Sequence, residues 1–452
     1  MQVPRLLVAG VSSGVGKTRL TVGLIRALRR RGLAVAAFKC GPDYLDPTYH
    51  TRAAGQQSQN LDGWMMGKAA VLDTFTAAAA GADVAIIEGV MGLFDGASPT
   101  SEEGSSAEIA KWLVAPVLLV ADAGGMARSI AALARGFSDF DPAVRVAALA
   151  CNRVGSPSHL ELLRSALAGR PPLLGGLQKR PELAFRERHL GLRTADSASV
   201  PDALLESWAD EVTNGFDLDA LLELARSAPA LPAPQLTTAE VASPRCRIGV
   251  ALDAAFHFYY ADNLRRLERL GAELCFFSPL QARELPEVDG LYFGGGYPEL
   301  HAAQLAANAG LRAAISRFAA SGAPVYAECG GLMYLVDAIR TLDGQSHAMV
   351  GCLRGEAVVR EQLVALGYVE VETRAPSLLG PAGLRFRGHQ FRYSELLGAS
   401  EGGTYLLHRR RGGEPLLEGY RSGSVLGSYV HAHWASNPDA AAGFVDSVAR
   451  RR

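Results

Sequence analysis

The sequence predicts two doubly wound α/β domains in series, and three features predict them. Short continuous apolar runs alternate with helical patterns from Arg5 to Leu177, a Pro- and Ala-rich stretch without periodicity interrupts them, and a second alternation begins at Arg247. Continuous apolar strands, each followed by a helix, mark a parallel sheet buried on both faces. At 452 residues the chain also exceeds one ordinary core, since domains usually hold about 100–150 residues.

In the first half the predicted strands are Arg5–Ala9, Ala34–Phe38, Val84–Glu88, Val117–Ala121, Val144–Cys151 and Leu173–Leu177. Helices are expected over Thr18–Arg31, Ser105–Leu113, Ala127–Phe137 and Ser158–Leu167. The segment Ser227–Pro244, SAPALPAPQLTTAEVASP, reads as a linker. The domains are therefore expected at 1–226 and 245–452, with 227–244 between them. The second alternation runs through strand Arg247–Leu252, helix Tyr260–Leu270, strands Glu273–Phe277 and Gly290–Phe293, helix Ala307–Ala320, strand Pro324–Ala327 and helix Leu332–Ile339. Beyond Gly351, Gly-punctuated β segments lead to strand Val425–Val430 and helix Pro438–Arg450. Order of this kind is the pattern of α/β folds.

A formal net charge of −1 gives no reason to expect a nucleic-acid partner or an anionic membrane surface. Arg29, Arg30 and Arg31 end a helical segment, where cations suit the helix dipole. The six cysteines show neither CxxC pairs nor metal-ligand spacing. No apolar run approaches the roughly 20 residues a spanning helix needs, and Leu6–Val11 is too short for a signal peptide. A cytoplasmic protein is expected.

Val11-Ser-Ser-Gly14-Val-Gly16-Lys17-Thr18 follows a strand and opens a helix, the context of a phosphate loop. Its backbone N–H groups cradle phosphate oxygens, Lys17 adds a point charge and the Thr18 hydroxyl suits magnesium. Gly14, Gly16, Lys17 and Thr18 are thus candidate ATP-binding residues. The spacing back to Gly10 is one residue longer than usual and resembles dethiobiotin synthetase and its carboxylate-activating relatives. Carboxylates follow other predicted strands: Asp43 and Asp46 in FKCGPDYLDP, Glu88 and Asp95 in EGVMGLFDG. Loops at the carboxyl ends of strands converge on the ligand crevice. Glu88 and Asp46, with Thr18, are expected to hold Mg2+, and Asp43 and Asp95 to complete the metal shell or orient substrate. Turn-capping carboxylates are the competing reading for Asp43 and Asp95. Asn152 follows the Val144–Cys151 strand where related folds read adenine, and a turn-forming Asn is the competing reading. Lys39 either reaches the transferred phosphoryl group or is a solvated strand end.

In the second half, Glu328-Cys329-Gly330-Gly331 must be a sharp strand-to-helix turn that exposes Cys329 at a helix N-terminus. That placement is expected to lower the thiol pKa. The N–H of Gly330 and donors in Phe293-Gly294-Gly295-Gly296-Tyr297 suit an oxyanion, so Gly295 and Gly296 join the candidate glutamine-binding residues. Of ten histidines, His431 in YVHAHW is the expected base, with His433 next. His389 and His189 sit near arginines and could meet acidic substrate or solvent.

VSSGVGKT, FKCGPDYLDP, NLDGWM, EGVMGLFDG, NRVGS, AFHFYYADNL, FGGGYPE, YAECGGLMYL and SYVHAHWASNP, in this order from Val11 to Pro438, resemble the cobyrinic acid a,c-diamide synthase family. The resemblance implies a dethiobiotin-synthetase-like phosphate-loop domain followed by a class I glutamine-amidotransferase-like domain. It implies a carbon–nitrogen ligase that uses ATP, Mg2+ and L-glutamine to amidate the a and c carboxylates of a corrin. It also carries Asp43, Asp46, Glu88 and Asp95 to the synthetase site, Cys329 to the nucleophile and His431 to the base. Where glutamine amidotransferases often carry a glutamate two residues after the base, this chain has His433. Gln390 and Arg392 in GHQFRYS stand where relatives often show Glu and His, and LAFRERHLGL is altered before Arg188; both bear on corrin recognition. Hydrogenobyrinic acid and a nickel tetrapyrrole are rival acceptors, and an ATP-switched binding or partitioning protein is the rival from another class. A homodimer is compatible with the sequence, but no motif demands one.

Overall fold

Seven strands, six of them the apolar runs read from the sequence and the seventh the short segment Gln59–Leu61, assemble the first sheet. In the computed structural model, residues 2–168, 171–183, 201–232, 243–399 and 403–451 are described, and the chain divides into two compact units, Met1–Thr237 and Thr238–Arg452. In the first unit the strands are β1 (Arg5–Gly10), β2 (Val35–Cys40), β3 (Gln59–Leu61), β4 (Val84–Gly92), β5 (Val117–Asp122), β6 (Val146–Val154) and β7 (Leu173–Gln178). They lie in the order β3-β2-β4-β1-β5-β6-β7, and every pairing is parallel. The helices are α1 (Lys17–Arg30), α2 (Asp46–Ala54), α3 (Gly63–Ala78), α4 (Ser106–Trp112), α5 (Ser129–Phe140), α6 (Pro157–Leu167), α7 (Asp202–Gly215) and α8 (Leu218–Arg226). Side-chain caps set several starts: Ser105 accepts from Glu108 N, Ser156 from His159 N and Asp217 from Ala220 N.

Two strands extend beyond their expected ends, with consequences for the site. β4 continues past Glu88 because its pairing with β1 resumes after a bulge, Val8 opposite Glu88 and Gly10 opposite Gly92. Glu88 therefore lies within a buried strand rather than at its end. β6 likewise runs to Val154, so Asn152 belongs to the strand, beside Arg153 at φ 55°.

In the second unit, β8 (Cys246–Ala251), α9 (Ala261–Arg269), β9 (Ala272–Phe277), β10 (Gly290–Phe293), α10 (Ala302–Ala307), α11 (Ala309–Ala320), β11 (Val325–Glu328) and α12 (Gly330–Leu335) come first. Short strands follow: β12 (Ala338–Arg340), β13 (Ser346–Ala348), β14 (Glu356–Val359), β15 (Ala365–Thr373), β16 (Arg385–Arg392) and β17 (Ser394–Leu397). The chain closes with β18 (Tyr405–Arg409), β19 (Leu416–Glu418), β20 (Tyr420–Ser422), β21 (Val425–Ser428), β22 (His431–His433) and α13 (Pro438–Ala449). The main sheet has the order β20-β21-β11-β10-β8-β9, parallel apart from β20. A four-stranded sheet β13-β12-β14-β17 and a five-stranded sheet β19-β18-β15-β16-β22 stand beside it.

The predicted helix Leu332–Ile339 is corrected: α12 stops at Leu335, Val336 is extended, and Ala338 enters β12 against β14. The predicted strand Val425–Val430 is split. β21 stays in the parallel sheet, and the chain then switches sheets so that His431 opens β22 opposite His389 of β16. Tyr292, Tyr326, Trp434 and Phe444, all fully buried, pack as one aromatic cluster beneath the turn after β11.

Candidate active sites

The turn between β1 and α1 holds Gly14 at φ 76° and Gly16 at φ 95°. A Cβ at Gly16 would overlap the Asn152 side-chain amide, so this position needs glycine twice over. No side chain caps α1, which leaves its first N–H groups directed at an anion. Lys17 Nζ rests on Met91 O at 2.6 Å and Ser12 O at 3.2 Å. Burial, and then the neighbouring Lys39, depress its pKa.

Beside the loop, Thr18 Oγ1 donates to Glu88 Oε1 at 2.7 Å and lies 3.3 Å from Asp46 Oδ2. Lys39 Nζ sits 2.8 Å from Asp46 Oδ2 and 3.0 Å from Glu88 Oε1. Lys39 is 3% exposed, so it is neither a solvated lysine nor swinging free over the loop. His50, absent from the sequence reading, places Nε2 2.6 Å from Glu88 Oε2. Burial pushes the Glu88 carboxyl up, but Lys39 and then His50 outweigh it and hold the group below the ordinary carboxylate range. Asp46 moves the other way, raised by burial and then by Asp43. Burial alone would discharge Lys39, and Asp46 and Glu88 reverse that, so its pKa is raised.

Thr18, Lys39, Asp46 and Glu88 line a cleft of about 630 Å3 with Gly14, Gly16, Lys17, Asp43, Asn152, Arg153 and Arg180, and His50 lies buried behind Glu88. Asp43 lines it while Oδ1 accepts from Leu45 N at 2.7 Å and Asp46 N at 3.2 Å, so it also builds the loop. Asp95 Oδ2 accepts from Gly92 N at 2.9 Å, the turn-capping role. Asn152 Nδ2 donates to Val15 O at 2.9 Å and its Oδ1 accepts from Arg153 N, so its amide holds the phosphate loop. Asn60 is a second residue the sequence reading passed over: it clamps FKCGPDYLDP by donating to Gly41 O and Asp43 O at 2.9 and 2.8 Å. Among the described residues no three His, Cys, Asp or Glu side chains form a metal cage. Two carboxylates and a hydroxyl facing the loop nonetheless fit Mg2+, which keeps waters and takes phosphate oxygens for the remaining positions.

In the second unit Cys329 adopts φ 47°, ψ −104° between β11 and α12, the strained elbow that the glycines imply. Cys329 N donates to Ser428 O at 2.7 Å, and Sγ lies 3.9 Å from Phe391 O. Gly330 packs against Pro298, with Gly296 N 3.0 Å from where its Cβ would be. Gly295 carries the His431 ring so closely that a Cβ would overlap Cε1. Two expectations are corrected. Gly295 N already donates to Phe258 O at 3.3 Å, so this N–H is engaged within the fold. The Cys329 pKa is raised to about 12, not lowered, because the thiol is buried and Glu299 adds negative charge.

His431 is buried too, which lowers its pKa to about 3, so thiol and imidazole are both neutral at rest. His433 accepts from Ala435 N and packs on Tyr260 at 4.7 Å between ring centroids. His389 is buried rather than solvated: its ring stacks on His431 at 5.0 Å, and Nδ1 meets Tyr260 OH at 3.0 Å. Arg392 lies over the Tyr429 ring at 4.3 Å and its positive charge acts on Cys329, so GHQFRYS borders the cysteine. Asn263, from AFHFYYADNL, brackets β22 by donating to Ala432 O and accepting from Trp434 N at 2.8 and 2.9 Å. His189, Arg188 and most of LAFRERHLGL lie outside the described residues, as does much of Ser227–Pro244. No helix among the described residues is long and apolar enough to cross a membrane.

Two family models match the chain in tandem. Residues 6–190 match a CobQ/CobB/MinD/ParA nucleotide binding domain, and residues 247–439 match a CobB/CobQ-like glutamine amidotransferase domain. A cobyrinate a,c-diamide synthase of Leptospira interrogans is 50% identical, with 100% of each chain covered. Those of Syntrophotalea carbinolica, 49% identical over 99% of each chain, and Dehalococcoides mccartyi, 41% identical over 98% of each, are similar along the same span. Likeness of this extent, through both sites, makes the chain a member of the cobyrinate a,c-diamide synthase family.

Proposed function

We propose that this chain is an ATP- and Mg2+-dependent, glutamine-hydrolysing ligase that amidates the a and c side-chain carboxylates of cobyrinic acid in cobalamin biosynthesis. The observation that carries the reading is the pairing, in one chain, of a phosphate-loop cleft walled by carboxylates with a buried cysteine elbow beside the glycine turn that holds His431.

Cys329 attacks the side-chain amide of glutamine, and its thiol proton passes to His431 and then to the departing ammonia. N–H groups of Gly296 and Gly330 hold the oxyanion. Water then cleaves the thioester to glutamate and returns Cys329 to the thiol. In the other unit, Gly14, Gly16 and Lys17 bind the triphosphate of ATP, and Thr18, Glu88 and Asp46 are the residues that would hold Mg2+, which would supply positive charge against the phosphates. Lys39 and Lys17 stabilise the γ-phosphoryl group as it moves to a corrin carboxylate, giving an acyl phosphate and ADP. Ammonia displaces phosphate from that acyl phosphate, and a carboxamide results.

Replacing Cys329 by Ser tests the division of labour. Glutamine-dependent amidation should vanish while amidation with ammonium salts persists. Equal loss with both nitrogen donors would refute the two-site reading. Incubation with cobyrinic acid, hydrogenobyrinic acid or a nickel tetrapyrrole, followed by mass spectrometry, identifies the acceptor by two successive amidations.

A further inference from the structure

His50 lies one helical turn after Asp46 on α2, so both project from one face of that helix. His50 reaches Glu88 of β4, and both side chains are fully buried. The two oxygens of Glu88 have separate partners. Oε1 meets Thr18 Oγ1 at 2.7 Å and Lys39 Nζ at 3.0 Å. Oε2 lies 2.6 Å from His50 Nε2, and since a carboxylate accepts, the imidazole Nε2–H donates. The other ring nitrogen, Nδ1, is buried without a hydrogen-bond partner among the described residues. His50 therefore spends its buried polarity on one carboxylate oxygen.

We propose that His50 is a positioning residue for the metal–nucleotide site: by holding Oε2 through Nε2, it keeps Glu88 turned so that Oε1 faces Thr18 and the cation. The role rests on the nucleotide reading of this cleft given above. Without the Nε2–H, Oε2 would be a buried charged acceptor with its donor gone, and the carboxylate would rotate toward Lys39 to recover one. Oε1 would then leave the Thr18 hydroxyl. Outer-shell donors of this kind are worth about 10–100-fold in metal affinity.

The geometry of the imidazole supplies the test. A glutamine side chain carries an N–H near the Nε2 position of histidine, whereas asparagine carries one near Nδ1. Calorimetry of the full chain with a non-hydrolysable ATP analogue, in Mg2+ and in EDTA, gives the factor by which the metal tightens nucleotide binding. Relative to wild type, His50→Asn should shrink that factor by about 10–100-fold, and His50→Gln should keep it within about threefold. Binding in EDTA should be similar in all three. If His50→Asn retains the wild-type factor, or His50→Gln loses as much as His50→Asn, the positioning role is refuted. Should His50→Asn not fold, His50→Gln against wild type decides on the same criterion. Failure of the wild-type chain to bind the analogue at all would overturn the functional reading itself, and the role of His50 with it.

Discussion

Replacing Glu328 by Gln should flatten the pH dependence of stability in the second unit. Glu328 sits directly before the nucleophile and is 1% exposed. Its Oε1 accepts from Tyr326 OH at 3.0 Å and Ala432 N at 3.2 Å, and Oε2 meets Tyr292 OH at 3.2 Å. Burial dominates these hydrogen bonds and pushes the carboxyl from 4.5 up to about 8. At neutral pH the group is therefore protonated when folded and ionised when unfolded. The folded state binds the extra proton, so stability falls as pH rises from the unfolded value to the folded one and levels off above it. At 1.36 kcal/mol per pH unit, wild type should lose about 3 kcal/mol between pH 5.5 and 8 from this group, an upper bound. Gln is close in shape to the protonated acid. Its oxygen can accept from Tyr326 and Ala432, and its amide can donate to Tyr292 OH. The variant should match wild type near pH 5.5 and exceed it near pH 8. Hydrogen exchange of the Val325–Leu332 amides, corrected for intrinsic rate, reads the difference where it arises. A Glu328→Gln protein with the same pH slope as wild type would refute the protonated-carboxyl assignment.

Lys39→Met leaves Asp46 and Glu88 facing each other without their shared cation; the first unit should lose about 3–5 kcal/mol by thermal unfolding in EDTA, and Mg·ATP should restore part of it. An unchanged Tm would contradict the ion-pair geometry. Gly16→Ala places a methyl group on the Asn152 amide at φ 95°, and nucleotide titration should show binding lost while Cys329-dependent glutaminase activity continues. Gly296→Ala forces φ 153° on an L-residue and drives Cβ into Ala255 O, a strain of about 1–3 kcal/mol. Glutamine hydrolysis should collapse and ammonium-driven amidation survive; loss of both would show that the damage is not confined to the elbow.

Both strand-rich frameworks were legible because a parallel sheet buried on two faces must be apolar throughout, as Leu6–Ala9 and Val117–Ala121 are. The region 46–78 was not. α2 begins at Asp46-Pro47 inside a segment that reads as a turn, and α3 is kinked at Gly67 (φ 72°), which breaks its periodicity. Motif residues with backbone signatures were visible: Gly16 and Cys329 declare themselves through the glycines around them. His50 did not, and the partners of Asn60 and His389 did not, because a histidine or asparagine acts here through a partner distant in sequence. The Asp-Pro start of α2 and the four-residue step from Asp46 to His50 were the available signal, and it becomes readable only once a helix is assigned. The thiol pKa failed for a different reason. A helix N-terminus is a local feature, whereas the burial of Cys329 and the nearby charge of Glu299 are assembled by tertiary structure.

The two sites handle charge in opposite ways, and each way suits its reactant. Around the phosphate loop, burial is offset by paired ions, so Glu88 and Lys39 stay charged in a dry environment. A polyanionic nucleotide suits such a site, because fixed charges need not reorganise when the phosphoryl group moves. Around the elbow, burial is left uncompensated: Cys329, His431 and Glu328 are all neutral near pH 7. A neutral carboxamide enters without breaking an ion pair, but the thiol cannot ionise alone against values of about 12 and about 3. Charge must appear on sulfur, imidazole and amide oxygen together. Hydrolysis is thereby tied to occupancy of the site by an amide, which restrains the thiolate from reacting with water-borne electrophiles when glutamine is absent.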